Sequence, residues 1–347
     1  MRAGQYSNYT LTSLFSSRKK DDRMEFMGKA VKLLFFLLFI TVTAFIILRP
    51  YFIASGSKQS ILSPIPDFLS LIKNNEVSSL NLWLPSLDNT VTASIKKPEI
   101  DGESALLYDL TTKKFLYLKN PKEKLPMASL TKIMTAIVAL EKPRKNNQYL
   151  VTDADLVGED AMGLTSGEIL SLKELLYGLV LHSGNDAAET LANAYPGGRA
   201  QFIKAMNEKV KTLGLTDTNF TNPTGLEGDG SQYTTAYDLL VMTNYALNSY
   251  PMFADVVSTF DYNIEATSTH KAYYLENETN LLSSYPGVKG VKTGYTPEAG
   301  LCLVTYLDYD GHKIIGVLLN SDNRIKDMKE LLDFGLISEG ITPPPHS

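Results

Sequence analysis

An α/β fold of the α+β type is what the 347-residue sequence predicts: an antiparallel sheet of about five strands, flanked by helices and interrupted by a mainly helical lobe. Strand patterns joined by short turns stand near both ends of the body, and the interval between them carries helical periodicity. A chain of this length that is 44% apolar can also bury a full core, so a fibre, a stapled mini-protein or a disordered tail is excluded. Cys302 is the single cysteine, so no internal disulfide can form.

The first element in chain order is an uncharged apolar run at residues 33–48, LLFFLLFITVTAFIIL. Its sixteen residues cover only about 24 Å as a helix, short of a ~30 Å hydrocarbon layer, so the expected membrane helix is 30–54, with Lys32 and Arg49 snorkelling. Seven Lys/Arg precede the run 33–48 and only Arg49 and Lys58 closely follow it, so residues 1–29 are expected as a cytoplasmic basic tail, with the chain beyond the helix outside. A cleaved signal peptide is the competing reading, since Ala54-Ser55-Gly56 has small residues at both ends. Residues 55–97, rich in Ser, Asn and Pro, are expected as a stalk, 98–340 as the body and 341–347 as a Pro-rich tail.

Seven basic against three acidic residues give 1–32 a charge of +4, which leaves −9 to the remainder of a chain whose total is −5. An acidic body without a basic stripe repels polyanions, so nucleic-acid binding is not expected.

Within the body, 104–108 (SALLY) and 114–118 (KFLYL) read as two strands across a short turn. Near the other end 301–307 (LCLVTYL) and 313–319 (KIIGVLL) flank Asp308-Tyr309-Asp310-Gly311, a hairpin signal. Leu130, Ile133, Met134, Ile137 and Val138 follow the spacing of an amphipathic helix. Ser171 with Glu174, and Thr235 with Asp238, have capping-box spacing at two further helix starts, and a last helix runs through Ile325, Met328, Leu331 and Leu332. No internal repeat is present.

Three short motifs carry the chemistry. Ser129-Leu130-Thr131-Lys132 shares its Ser-x-x-Lys spacing with six other serines, but Pro126 and the periodic run behind it place Ser129 at a helix N-terminus with Lys132 one turn on. A hydroxyl and an amine can meet there, where developing negative charge is favoured. Ser183-Gly184-Asn185 occupies an elbow between two helical stretches, where its side chains can face a cleft; taken alone it reads as a Gly C-cap followed by an Asn N-cap. Ser321-Asp322-Asn323, of the same pattern, follows the last strand and reads as a loop. Lys292-Thr293-Gly294 sits in GVKGVKTGYT, expected as an edge strand in which Gly294 permits close backbone approach. Alone, such a Lys-Thr pair is ordinary solvated surface.

Ser-x-x-Lys, Ser-x-Asn and Lys-Thr-Gly in this order form the pattern of penicillin-recognising serine enzymes. LPMASLTKIMTA, LLYGLVLHSGNDAAETLA, MNEKVKTLGLTDTNFTNPTGL, TTAYDLL and VKGVKTGYT resemble blocks of the serine-type D-alanyl-D-alanine carboxypeptidases, low-molecular-mass penicillin-binding proteins of peptidase family S11. The likeness covers about 100–340 and implies a β-lactamase/transpeptidase-like fold. Two departures are His182 before the Ser-Gly-Asn motif and the lack, after the body, of the family's common C-terminal β-domain and amphipathic anchor; the N-terminal segment is expected to tether the enzyme instead.

The resemblance implies that Ser129 attacks the bond between two D-Ala residues of a peptidoglycan stem peptide, with β-lactams as covalent inhibitors, and that an acyl-enzyme is then hydrolysed. Lys132 would be the general base. To be neutral near pH 7, its affinity for a proton must fall by about 4 kcal/mol from that of a lysine at ~10.4. A second cation at ~4 Å contributes roughly 1 kcal/mol in water but ~4 at an effective dielectric near 20, so Lys292 suffices only in a partly dry site. By the same resemblance Ser183 relays a proton to the leaving amine, Asn185 holds the substrate amide, and the backbone N–H groups of Ser129 and Tyr295 form the oxyanion hole. Lys292, Thr293 and Gly294 line the strand that grips the terminal carboxylate, and Arg324 adds charge there.

No metal or cofactor is expected: His182, His270, His312 and His346 are scattered, and Cys302 reads as a small buried hydrophobe. A Ser-His pairing of His182 with Ser183 is disfavoured because adjacent side chains diverge. A β-lactamase, the first rival function, would need a deacylating carboxylate in a Glu-x-x-Leu-Asn stretch, which is absent between Asn185 and Lys292. A D,D-endopeptidase acting on cross-links would use the same residues. A receptor that binds wall peptide or antibiotic without turnover is a rival from outside the enzymes, and the presence of every motif residue argues against it.

Overall fold

Both expected hairpins are present and share one sheet. The computed structural model describes residues 82–91, 95–279 and 281–346. The expected cytoplasmic tail, the membrane helix 30–54 and most of the stalk lie outside the described residues. Among the described residues, no helix is long and apolar enough to cross a membrane.

Strands β1 (Ser104–Asp109) and β2 (Lys114–Lys119) come from one end of the chain, and β7 (Val288–Thr296), β8 (Gly300–Tyr309) and β9 (His312–Ser321) from the other. Their order is β2-β1-β9-β8-β7, with every neighbouring pair antiparallel, so β7 is an edge strand as its sequence suggested. The β8–β9 turn is tighter than the stretch Asp308–Gly311 suggested: Tyr309 pairs with His312, and Asp310 and Gly311 take φ of +48° and +80°. Positive φ at both central residues is what a twisted two-residue hairpin demands, and Asp-Gly supplies it at little steric cost.

Alternation along the strands feeds two cores. Leu106, Tyr108, Val304 and Val317 face one, and Ala105, Leu107, Leu303 and Leu318 the other. Because both faces are covered, the strands read as nearly continuous apolar runs. The final helix α8 (Arg324–Ser338) covers the second face with Met328, Leu331 and Leu332. Its N-cap is Asn323, whose side chain accepts from Lys326 N at 3.1 Å, so Ser321-Asp322-Asn323, read as a loop, runs from the last residue of β9 through a bend to the helix cap.

On the first face lie α1 (Lys132–Glu141), α2 (Leu172–Leu181), α3 (Asn185–Asn193), α4 (Gly198–Thr212), α5 (Ala236–Ser249) and α6 (Pro251–Val257), with α7 (Leu281–Ser284) leading into β7. The small pairs β3 (Tyr149–Leu150) with β4 (Ile169–Leu170) and β5 (Asp261–Ile264) with β6 (Tyr273–Glu276) trim the lobe. Ser171 and Glu174 form the expected reciprocal capping box on α2. On α5 only half of the pattern forms. Thr235 accepts from Asp238 N, while the Asp238 carboxylate turns to Thr218 Oγ1 at 2.8 Å.

The sequence suggested an amphipathic α1, yet its residues from Lys132 through Ala139 are all buried. It packs against α2, α3, α4 and α5, which leaves it no solvent face. The lobe therefore has a central helix, and Lys132 is inside it.

Part of the segment expected as stalk is packed on the body. Val91 N donates to Phe115 O at 2.9 Å, Phe115 N to Asn89 O at 2.8 Å, and Tyr237 OH to Pro85 O at 2.9 Å. Trp83 meets Tyr108 edge-on with ring centres 5.3 Å apart. All these elements belong to a unit spanning 79–347.

Candidate active site

Ser129 stands in one turn of 3-10 helix, Ala128–Thr131, that runs directly into α1. Ala128 before it has φ +47°, a left-handed conformation that costs a non-glycine residue roughly 1–3 kcal/mol. Two glycines hold the turn in place. A Cβ on Gly294 of β7 would lie 3.1 Å from both Ser129 N and Met127 O, so the edge strand rests on the backbone of the Ser129 turn. From the other side Gly225 comes so close that a Cβ there would fall 2.0 Å from Ala128 O and 2.9 Å from Ser129 N. Any larger residue at either position forces the layers apart.

Ser129 is half-buried and open to solvent, whereas Lys132 beneath it is 1% exposed. Lys132 Nζ lies 2.8 Å from Ser129 Oγ, 2.7 Å from Asn185 Oδ1 and 2.7 Å from Thr224 O. The last two atoms can only accept. A neutral amine has two N–H groups and one lone pair, so with both N–H groups engaged the lone pair is left for the Ser129 hydroxyl. The geometry suits proton transfer from Oγ to Nζ.

Burial is the largest influence on Lys132 and pushes its proton affinity well below that of an ordinary lysine; the Lys292 charge adds to this, while Asp160, Glu278 and Asp186 oppose it. Dryness therefore dominates, with the second cation supporting it. Lys292 is itself fully buried, donates to Thr293 O at 3.1 Å, and is pushed down to about 8, mainly by burial. Arg324, first residue of α8, donates to Gly294 O at 3.0 Å, which ties the helix to the Lys-Thr-Gly strand.

Asn185 is the first residue of α3 and no cap for it; Gly184 holds the N-cap position. Its Nδ2 donates to Glu159 O at 3.0 Å and its backbone N to Asp160 O at 2.7 Å, which leaves Oδ1 for Lys132. Ser183, two residues earlier, is buried with φ +54°. His182 is the C-cap of α2. Thr293 is buried, whereas the Tyr295 side chain is 59% exposed, so any inward contribution of Tyr295 comes from its backbone. Cys302 is a buried free thiol in β8, as expected.

Sequence reasoning missed the loop that supplies Thr224 O. Asn222 Oδ1 accepts from Thr224 N, Thr224 Oγ1 and Gly225 N, and Asn222 Nδ2 donates to Leu226 O. Thr135 Oγ1 donates to Pro223 O at 2.6 Å, and Gln232, whose Oε1 accepts from Thr221 N at 3.0 Å, donates through Nε2 to Thr131 Oγ1 at 3.2 Å, so the loop is tied to residues on both sides of Lys132. Asn-Pro-Thr-Gly is visible in the sequence as a turn, but nothing local says that its carbonyl faces a lysine 92 residues away. Beside the turn, a cavity of about 250 Å³ is bordered by Ala128, Gly225, Glu227 and Thr296.

Known proteins resemble the chain in sequence and in fold. The D-alanyl-D-alanine carboxypeptidase family, peptidase S11, matches residues 90–323. The D-alanyl-D-alanine carboxypeptidase DacF of Bacillus subtilis (strain 168) is 37% identical over 244 residues, 67% of this chain and 62% of its own length. A D-alanyl-D-alanine endopeptidase of Escherichia coli (strain K12) is 34% identical over 221 residues, 60% of this chain and 67% of its own. The crystal structure of the Streptomyces K15 DD-transpeptidase superposes with a TM-score of 0.66 at 32% identity, covering 70% of this chain and all of that one. The chain spans less than two thirds of the length of DacF and of other carboxypeptidases it matches.

Proposed function

The chain belongs to the D-alanyl-D-alanine carboxypeptidase family, peptidase S11, and from that premise we propose a serine peptidase that removes the terminal D-Ala from peptidoglycan stem peptides. One observation carries the reading: a fully buried amine whose two N–H groups are occupied by carbonyl-type acceptors and whose third contact is a solvent-reachable serine hydroxyl.

The residues support the following course. Lys132 takes the Ser129 proton as Oγ bonds to the carbonyl carbon between the two D-Ala residues. The N–H groups of Ser129 and Tyr295 receive the oxyanion. The C–N bond breaks while Ser183 passes a proton to the leaving amine, and water then hydrolyses the ester, restoring Ser129. Asn185 holds the substrate amide, and Lys292, Thr293 and Arg324 hold the terminal carboxylate along the strand that Gly294 keeps close. A β-lactam would acylate Ser129 in the same way. The apolar run 30–54 is assigned as the membrane tether, with 1–29 inside the cell and the body, 98–340, outside.

The test is to incubate a fragment beginning at Ser79 with a muropeptide ending in D-Ala-D-Ala and weigh the products. Loss of one alanine is the expected result; unchanged pentapeptide would sink the assignment. The endopeptidase relative favours a second reading, cleavage of cross-links, which separation of cross-linked dimers would reveal.

The two lysines also predict a pH profile. Activity rises as Lys132 loses its proton, and that happens well below the range of ordinary lysines. Lys292 is needed charged, and its charge is lost as pH rises through about 8. The kcat/KM for carboxylate-bearing peptides is therefore expected to fall above about pH 8, and a Lys292→Arg variant to carry that limb upward. An alkaline limb unmoved in that variant would assign it to another group.

A further inference from the structure

Asp186 follows the Ser-Gly-Asn motif, is 1% exposed, and has no contact with Ser129, Lys132 or Lys292 among its hydrogen bonds. Its carboxylate accepts from three successive backbone N–H groups of another segment: Met162 at 3.0 Å, Gly163 at 2.9 Å and Leu164 at 2.9 Å. A fourth bond comes from Ala187 N at 2.8 Å. An acid in the first turn of a helix ordinarily serves that helix. Here most of the bonding capacity goes to the 159–164 loop, which wraps the carboxylate as an anion nest with Gly163 at φ +91°.

The same loop orients Asn185. Glu159 O receives Asn185 Nδ2, and Asp160 O receives the Asn185 backbone N–H. A primary amide has a donating end and an accepting end of nearly equal shape, so its orientation is set only by its partners. With Nδ2 held by Glu159 O, Oδ1 faces Lys132 Nζ at 2.7 Å. Turned over, the amide would present a donor to Lys132 and compete for the lone pair that the Ser129 proton needs. Gly184 is part of the same arrangement, since a Cβ there would stand 2.9 Å from Asp186 Oδ1 and 3.3 Å from Met162 N.

Resting on the catalytic reading above, we infer that Asp186 is a positioning residue for the reaction: it fixes the 159–164 loop, the loop fixes the Asn185 amide, and the amide keeps Lys132 free to accept the Ser129 proton. Asp186 acts through Asn185 and touches no reacting atom.

The test is a double-mutant cycle on the full chain in detergent, read as the rate of covalent labelling by a fluorescent penicillin. Asp186→Asn is expected to slow labelling roughly tenfold to a hundredfold in the native background, and about twofold or less when Asn185 is already alanine. A second variant, Gly163→Ala, strains the nest without touching the carboxylate, since nothing lies within 4 Å of the added Cβ. It is expected to show the same dependence on Asn185, and it decides the matter if Asp186→Asn does not fold.

The pH profile of Gly163→Ala adds a readout that a merely structural role would not move. The charged groups facing Lys132 are Lys292 from β7, Asp160 from the loop, Glu278 from the segment before α7, and Asp186. None is replaced in Gly163→Ala, but Asp160 moves with the loop, so the shift of its acid limb to lower pH that reports the loss of Asn185 Oδ1 is the part that disappears when Asn185 is already alanine. Equal losses with and without Asn185, or an unmoved limb, overturn the inference alone. Native protein that takes up no penicillin overturns the functional reading and this inference with it.

Discussion

Replacing Ser129 with alanine is expected to abolish covalent labelling by penicillin and the release of alanine, a fall of roughly 10⁵-fold or more, as the loss of a serine nucleophile gives elsewhere. Stability should change little. Ser129 is half-buried, and its hydroxyl is one of three partners of Lys132 Nζ; the other two, Asn185 Oδ1 and Thr224 O, remain. Losing one neutral hydrogen-bond partner costs about 1 kcal/mol. The variant should therefore still bind peptide, which calorimetry can check beside intact-mass measurement of the penicillin-treated protein. Continued labelling would mean that another hydroxyl is the nucleophile, and the catalytic reading would fail.

The second large effect is structural. Gly225 has φ +93°, and an added Cβ would lie 2.0 Å from Ala128 O and 2.4 Å from Ala128 C, both backbone atoms that no rotamer change can move. The left-handed backbone alone costs an L-residue roughly 1–2 kcal/mol, and overpacking a tight interior roughly 1–3 more. Gly225→Ala should lose about 3 kcal/mol or more in denaturant unfolding and should label poorly, because relief of the overlap draws Thr224 O away from Lys132. Gly311→Ala separates the two contributions: its φ is +80°, yet nothing lies within 4 Å, so only the backbone cost of about 1–2 kcal/mol is expected. Equal losses in the two variants would show that the contact with Ala128 is unimportant.

What could be read from the sequence was whatever had a local cause. Asp310-Gly311 announces its hairpin because the turn needs positive φ, and Ser171 with Glu174 announces α2 because both ends of the capping bond lie within four residues. Ser129 and Lys132 were legible as a pair because helix geometry brings i and i+3 together. Order along the chain then joined them to Asn185 and Lys292. What was illegible depends on contacts between distant segments. That Lys132 is wholly buried follows from four helices closing around α1, and no periodicity within α1 states this. Asn185 reads locally as a cap, but its side chain is taken by a lysine 53 residues earlier. Thr224 contributes a carbonyl, a group every residue has, so residue type held no clue. The packing of 82–91 on β2 was hidden because its apolar residues form only a short patch inside a longer stretch rich in Ser, Asn and Pro, which as a whole resembles a linker.

The meeting of three remote segments on one nitrogen has a bearing on when the protein can work. Lys132 Nζ reaches Asn185 across 53 residues and Thr224 across 92, so the amine acquires both partners only after α1, α3 and the 221–227 loop have come together. Before that its side chain is an ordinary wet ammonium, protonated at neutral pH and of no use to a neighbouring alcohol. On the proposed mechanism a half-made or misassembled chain is thus inert by construction. Competence arrives together with the finished interior, so the order of assembly by itself keeps the immature form silent.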